Sequence, residues 1–240
     1  MIIIPIAGKS TRFFQTGYRE YKFLLPFNNK SILEHILFSF EKYFKIYPFI
    51  IIIRKDFDDL TKNKIISIIK NSGILDWQIV EVFETRGQAE TVYEGIKDHN
   101  INTPLYIWNG DTIRLIDLPI IDDNVDGLIE VFVAEGSQWS FANIDEDLNV
   151  LNVAEKKRIS PYCSSGLYYF KSIEIYKYLY DLYISEEDIW YAQEPYIAPM
   201  YNKALEINLK IKGSIKDFSD FIFCGNPKEY EDVTKKKQTK

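Results

Sequence analysis

Apolar positions in the first half of the chain fall into two kinds of run. Residues 2–6 and 49–53 are short and continuously apolar, as strands buried on both faces are, and 77–83 and 105–108 read as further strands. Between these runs the apolar residues recur at helical spacing. One set is Ile32, Leu33, Ile36, Leu37, Phe40 and Phe44; the next is Leu60, Ile65, Ile68 and Ile69; the third is Ala89, Val92, Tyr93 and Ile96. Ser31 followed by Glu34 marks a capping box at the first helix, and Gly73 closes the second. The order β-loop-α-β-α-β-α-β predicts an α/β fold with a doubly wound, mostly parallel, Rossmann-like sheet and right-handed crossovers. Ligands of such sheets sit beyond the carboxyl ends of the strands. Loops 7–22, 85–88 and 109–112 each follow a strand, so all three are expected at one edge.

After Asp126 the pattern changes. Strands are expected at 128–134, 141–144, 150–153 and 167–170, with an acidic turn at 145–149. Helices are expected at 172–183 and 190–204, and apolar stretches follow at 207–211 and 218–223. Asn226-Pro227 opens a short helix, and the Lys-rich tail 235–240 is expected to be disordered. The chain therefore reads as one domain over 1–234. Its first half, 1–125, carries the strand-edge loops, and its second half, 126–234, completes the sheet and adds a small lobe.

Composition narrows the function classes. The chain has 240 residues, 46% hydrophobic and 27% charged, which suffices for a sizeable core. A net charge of -6 argues against a general nucleic-acid binder. Cys163 and Cys224 form neither a CxxC nor a Cys/His zinc pattern, so a reduced, cytoplasmic compartment is expected. His35 and His99 read as structural. The start of the sequence lacks the features of a signal peptide, and no run reaches the roughly 18 apolar residues of a membrane span. No membrane partner is expected, and a homo-oligomer is compatible with the sequence.

Three loops carry candidate chemistry. Gly8-Lys9-Ser10-Thr11 resembles the end of a phosphate-binding GxxxxGK[ST] loop, but that pattern needs glycine where Ile3 stands. A wider reading takes Ala7, Gly8, Lys9, Ser10 and Thr11 as small or polar residues that let backbone approach a ligand closely. Arg12 and Lys22 then bring cations to the same edge. A triphosphate needs that combination; the alternative is a turn with two solvated basic residues. Gln88 sits at a helix N-terminus, where free N–H groups and a carboxamide are available or merely cap the helix. Asp111 follows a buried strand and Gly110, a placement suited to holding Mg²⁺ through one carboxylate.

Taken together, these segments resemble the sugar-phosphate nucleotidyltransferase family. The family's N-terminal signature runs strand, Ala-Gly-x-Gly-Ser-Arg-Phe, Gly-Tyr, Pro-Lys-Pro-Leu. Gly8, Arg12 and Lys22 match it, while Ser10 replaces the second glycine and Tyr21 and Phe23 replace the prolines. The resemblance implies a catalytic role for Arg12 and Lys22, base reading at Gln88, and nucleotide contact along 7–11 and at Gly110. It further implies Mg²⁺ at Asp111 and acceptor contacts at Glu155, Lys156, Gly166 and Glu194. Glu155–Lys156 can equally be read as a solvated charge run. The family's Asp-x-Gly-Thr-Pro motif, whose aspartate is a second metal ligand, corresponds here to Phe223-Cys224-Gly225-Asn226-Pro227. Phe223 thus stands in that aspartate's place, and Asp217 and Asp220 are the nearby substitutes, with Asp220 taken as the second metal ligand.

The implied reaction joins a nucleoside triphosphate to a small phosphorylated acceptor and releases pyrophosphate. The halves 1–125 and 126–234 would serve nucleotide and acceptor respectively. Within the family the chain looks closest to small bacterial capsule-pathway cytidylyltransferases, which implies CTP and an unusual acceptor such as phosphoglutamine. A sugar 1-phosphate acceptor, or a non-catalytic nucleotide-binding relative, are the alternatives.

Overall fold

The computed structural model describes residues 1–99, 102–186 and 190–235. The predicted first half is present. Strand β1 (Ile2–Pro5) leads into a loop holding a one-turn helix, α1 (Thr11–Gln15), and a 3-10 turn at Lys22–Leu24. A two-residue ribbon, β2 (Pro26–Phe27) with β3 (Lys30–Ser31), turns through Asn28 and Asn29. Both have positive φ, as such a tight hairpin requires.

Helix α2 (Ile32–Phe38) starts at the expected capping box: the Ser31 N–H donates to Glu34 Oε2 at 2.6 Å and the Glu34 N–H to Ser31 Oγ at 3.2 Å. It ends before the predicted Phe40 and Phe44, which a 3-10 turn nevertheless carries into the core. There follow β4 (Phe49–Arg54), α3 (Asp59–Ser72), β5 (Trp77–Val82), α4 (Gln88–Ile96) and β6 (Leu105–Trp108). Gly73 caps α3 at φ 93°, the left-handed C-cap anticipated from sequence.

Strands β5, β4, β1 and β6 lie side by side in that order, all parallel. The order reverses between β1 and β6, which opens the crevice where such sheets take ligands. The second half extends this sheet. After β7 (Thr112–Arg114), β8 (Gly127–Val133), β9 (Ser140–Ile144) and β10 (Val150–Glu155), the long β11 (Tyr162–Phe170) pairs antiparallel with β6. Strand β8 pairs with β11, and β9 with both β10 and β11. Helix α5 (Ile173–Ile184) matches expectation. Helix α6 (Met200–Glu206) is much shorter than the predicted 190–204, because Pro195 and Pro199 cannot sit in a helix interior. Strand β12 (Ile211–Lys216) runs parallel to β8, so the stretch expected at 207–211 begins its strand only at Ile211. Strand β13 (Phe221–Phe223) pairs with β7, and α7 (Pro227–Lys235) closes the described chain. The expected tail 235–240 lies outside the described residues apart from Lys235, which belongs to α7.

Alternate residues of the buried strands feed two core layers. Ile2, Ile4, Phe49, Ile51 and Trp108 pack on one face; Ile3, Ile50, Ile52, Ile107 and Tyr176 pack on the other. Among the described residues, no helix is long and apolar enough to cross a membrane.

Candidate active site

A cleft of about 960 Å³ lies over the carboxyl ends of β1, β4, β5 and β6. The three predicted loops all reach it: its lining includes Ala7, Gly8, Lys9, Thr11, Arg12, Lys22, Gln88, Gly110 and Asp111. From the second half come Glu155, Lys156 and Glu194.

Local sequence explains the placement of Asp111. The Trp108 indole N–H donates to the Thr112 carbonyl at 2.7 Å, closing a tight turn between β6 and β7. Gly110 lies at its tip, where a Cβ would come within 2.5 Å of Ile6 Cγ2 and 2.7 Å of the Pro5 carbonyl oxygen. Only glycine lets this turn rest on the end of β1, and that contact brings Asp111 beside the loop after β1.

Lys22 Nζ lies 2.6 Å from Asp111 Oδ2, with the two side chains 21% and 24% exposed. Burial pushes the Asp111 carboxyl up, but the Lys22 ammonium, the Thr112 hydroxyl and the Arg12 charge outweigh it and hold it below the usual carboxylate range. Arg12 reaches across the cleft mouth and donates to the Gly225 carbonyl at 3.0 Å. Lys9 pairs with Glu84 at the exposed rim.

The departures from the family signature have physical counterparts. Ser10, at the family's second glycine, adopts φ 53°, the left-handed region that favours glycine. Its side chain does not line the cleft, which corrects the expectation of a nucleotide contact there. The side chain is buried instead, and Oγ accepts the Lys22 backbone N–H at 3.0 Å, tying the lysine to the loop. Tyr21 and Phe23, in place of prolines, stack on each other with centroids 5.6 Å apart and both pack on Phe57. Aromatic packing thus holds the segment that proline would stiffen.

Gln88 Nε2 donates to Asn109 Oδ1 at 2.5 Å, linking the α4 N-terminus to the turn before Asp111. Gly166, expected at the acceptor, does not line the cleft. Its φ of 95° and the absence of a Cβ make room for the Asn109 side chain, whose Nδ2 would lie 2.3 Å from such an atom. Gly166 is therefore a packing position behind the nucleotide-side turn.

The acceptor-side group is a network. Lys156 Nζ donates to Tyr196 Oη at 2.6 Å, and Tyr196 Oη donates to Glu194 Oε2 at 2.5 Å. The ammonium also lies over the Tyr196 and Tyr191 rings, 4.3 and 4.8 Å from their centroids. Lys156 adopts φ 50°, an uncommon conformation for lysine. Glu155, mostly buried, accepts from the Ser140 hydroxyl; burial pushes its carboxyl up, assisted by Glu194 and opposed by Ser140 and Lys156. Sequence reasoning missed Tyr196 and Ser140, which only the folded lobe brings to Lys156 and Glu155.

Asp220 is not part of the site. Its carboxylate accepts the Asp217 N–H at 3.0 Å and so caps the 3-10 turn before β13, and it does not line the cleft. Strand β13 then runs from Phe221 opposite Arg114 to Phe223 opposite Thr112, so the chain reaches Asp111 only at Cys224–Gly225. Phe223, where the family has aspartate, packs among Phe132, Trp139, Phe218 and Phe221. The carboxylate that does reach the cleft from this region is Glu229, on the first turn of α7, which sequence reasoning passed over. A point at the Cβ position of Gly225 is 3.2 Å from Asp111 Oδ2 and 3.3 Å from Glu229 Oε2. Burial and the nearby Asp111 push the Glu229 carboxyl up.

No protein-family profile matches the chain, and no curated protein matches it in sequence. Solved structures do. The nucleoside-diphosphate-sugar pyrophosphorylase from Vibrio cholerae RC9 is 37% identical over 98% of this chain and 100% of its own, with a TM-score of 0.92. The inositol-1-phosphate CTP transferase from T. maritima is 13% identical over 98% of this chain and 94% of its own, with a TM-score of 0.73.

 A UDP-glucose pyrophosphorylase complexed with UDP-glucose is 14% identical over 99% of this chain and 98% of its own, with a TM-score of 0.75. The last two likenesses show the fold, and the first shows the family: the chain belongs to the nucleotide-sugar pyrophosphorylases, nucleotidyltransferases of the NTP-transferase fold.

Proposed function

We propose that the chain transfers a nucleotidyl group from CTP to a small phosphorylated acceptor and releases pyrophosphate. The observation that carries this reading is the Lys22–Asp111 pair at 2.6 Å, set with Arg12 at the crevice between β1 and β6. An acceptor phosphate oxygen would attack the α-phosphorus while the bond to pyrophosphate breaks, with no covalent enzyme intermediate. Arg12 and Lys22 would meet the negative charge on the transferring phosphorus and the leaving group. The Gly8 loop and Gly110 would let backbone approach the nucleotide, with Gln88 at the base. Lys156 would hold the acceptor phosphate as a compact point charge, with Glu194 and Glu155 facing the rest of that molecule.

The residues present fit Mg²⁺. Asp111 offers a carboxylate that Lys22, Thr112 and Arg12 hold below the usual range, and Mg²⁺ commonly takes one or two protein carboxylates beside substrate phosphates. Bound there, it would neutralise charge on the phosphates.

The sequence resemblance supports CTP and admits phosphoglutamine as acceptor. A second reading, a sugar 1-phosphate acceptor, is favoured by the 37% identical relative described as a nucleoside-diphosphate-sugar pyrophosphorylase. Pyrophosphate release is to be measured with each of the four common NTPs against phosphoglutamine and a set of sugar 1-phosphates. Preferential turnover of CTP supports the first statement, and the better acceptor decides between the two readings. No release with any pair would identify a non-catalytic nucleotide-binding relative.

A further inference from the structure

We propose that Glu229 supplies the second carboxylate to the divalent cation of this cleft, in place of the aspartate whose strand position holds Phe223. The inference rests on the reading that the cleft takes a nucleoside triphosphate with a divalent cation at Asp111. Phe223 is committed to an aromatic cluster, its ring 4.9 Å from Trp139 and 5.2 Å from Phe132 between centroids. Asp217 and Asp220 are engaged with each other in the turn before β13. Only past β13 does the chain come to Asp111, through the Cys224 N–H donating to the Asp111 carbonyl at 2.9 Å.

Two features then aim Glu229 at the same space. The Asn226 carboxamide accepts the Glu229 N–H at 3.0 Å, which fixes the first turn of α7. Gly225, between the two acids, has no side chain, and the point where its Cβ would be lies 3.2 Å from Asp111 Oδ2 and 3.3 Å from Glu229 Oε2. Glycine thus leaves empty a point in close contact with both carboxylate oxygens. Glu229 Oε2 also accepts the Gly225 N–H at 2.8 Å, so a purely structural capping role is the competing account. Capping needs one acceptor oxygen and no charge, whereas holding a divalent cation needs the charge. Glutamine keeps the first and loses the second.

The experiment is a Mn²⁺ titration of the full chain by electron paramagnetic resonance, with and without CTP, beside the Mg²⁺ dependence of pyrophosphate release. Loss of groups behind a metal ligand commonly weakens binding 10–100-fold. Glu229→Gln should therefore weaken Mn²⁺ binding at least roughly tenfold and raise the half-maximal Mg²⁺ concentration in step, with an unchanged melting temperature. Gly225→Ala, which keeps both carboxylates but sets a methyl against each of them, should also weaken Mn²⁺ binding.

If Glu229→Gln binds Mn²⁺ as wild type does and needs no more Mg²⁺, Glu229 is a cap and the proposal fails. It fails equally if the wild-type chain binds no Mn²⁺ in either condition. Should Glu229→Gln melt early, the Gly225→Ala titration decides: undiminished Mn²⁺ binding there overturns the proposal. Glu229-dependent Mn²⁺ binding in a chain that turns over no NTP would sink the transfer reaction and leave the metal assignment standing.

Discussion

At the β1–β6 end of the cleft the charged groups ride on loops that directly follow neighbouring parallel strands. At the β10 end, Lys156, Glu194 and Tyr196 are gathered from a strand end and an irregular segment some forty positions apart in sequence. The first arrangement follows from strand direction: each strand delivers its loop to the same edge because parallel strands share a direction, even though Lys22 and Asp111 stand 89 positions apart. Its charges are neighbours by topology. The second depends on an antiparallel extension that turns the chain back on itself, so its polar groups bond to each other.

If the two ends serve nucleotide and acceptor, substitutions should separate in kinetics. The largest effects belong to the β1–β6 end. Asp111→Asn keeps size and loses charge, so turnover should fall sharply and the Mg²⁺ requirement should rise. A metal dependence equal to wild type would move the cation elsewhere.

Lys22→Ala should lower kcat/KM by roughly 10²–10³, or about 2.7–4 kcal/mol, as loss of one group acting on transition-state charge does. Near-normal kcat/KM in a folded variant would remove Lys22 from the machinery. The same variant has a pH signature. The Asp111 carboxyl is held low in the fold, so its contribution to stability is present above the unfolded value of about 3.9 and is lost as pH falls through the lower folded value. Without the Lys22 ammonium, burial is left to raise that carboxyl, and the melting temperature should begin to depend on pH at higher pH than in wild type. Coincident melting profiles would refute that coupling.

At the other end, Lys156→Ala should raise the acceptor KM roughly tenfold or more, as a lost bond to a charged group does, and leave the nucleotide KM nearly unchanged. An effect confined to the nucleotide would erase the division between the ends. Gln88→Ala should act in the opposite sense but more weakly. Loss of one neutral hydrogen bond, about 1 kcal/mol, should raise the nucleotide KM roughly fivefold and leave acceptor KM alone.

The smallest effect is expected at Ser10. Ser10→Gly relieves a left-handed backbone, worth about 1 kcal/mol, and loses a hydrogen bond of similar size, so the melting temperature should hardly move. Turnover should still drop a few-fold, because Lys22 loses its tether. Unchanged turnover would show that Tyr21 and Phe23 hold the lysine without help.

The alternating layers, the capping box at Ser31–Glu34, the left-handed cap at Gly73, and the meeting of loops 7–22, 85–88 and 109–112 at one edge were legible in the amino-acid pattern. These follow from period, cap chemistry and strand direction, which are local or topological properties. Pattern alone could not limit α6, since the apolar spacing over 190–204 persists while Pro195 and Pro199 break the backbone. Nor could it place Asp220, Gly166 or Glu229. Asp220 and Glu229 stand near the same motif, but a 3-10 turn consumes one carboxylate and the first turn of α7 carries the other to Asp111. Gly166 looks like a ligand-facing glycine until Asn109 is seen to fill the space it leaves. Which side chain faces a cleft depends on register and on what packs behind it, and both are set by contacts between residues far apart in the chain.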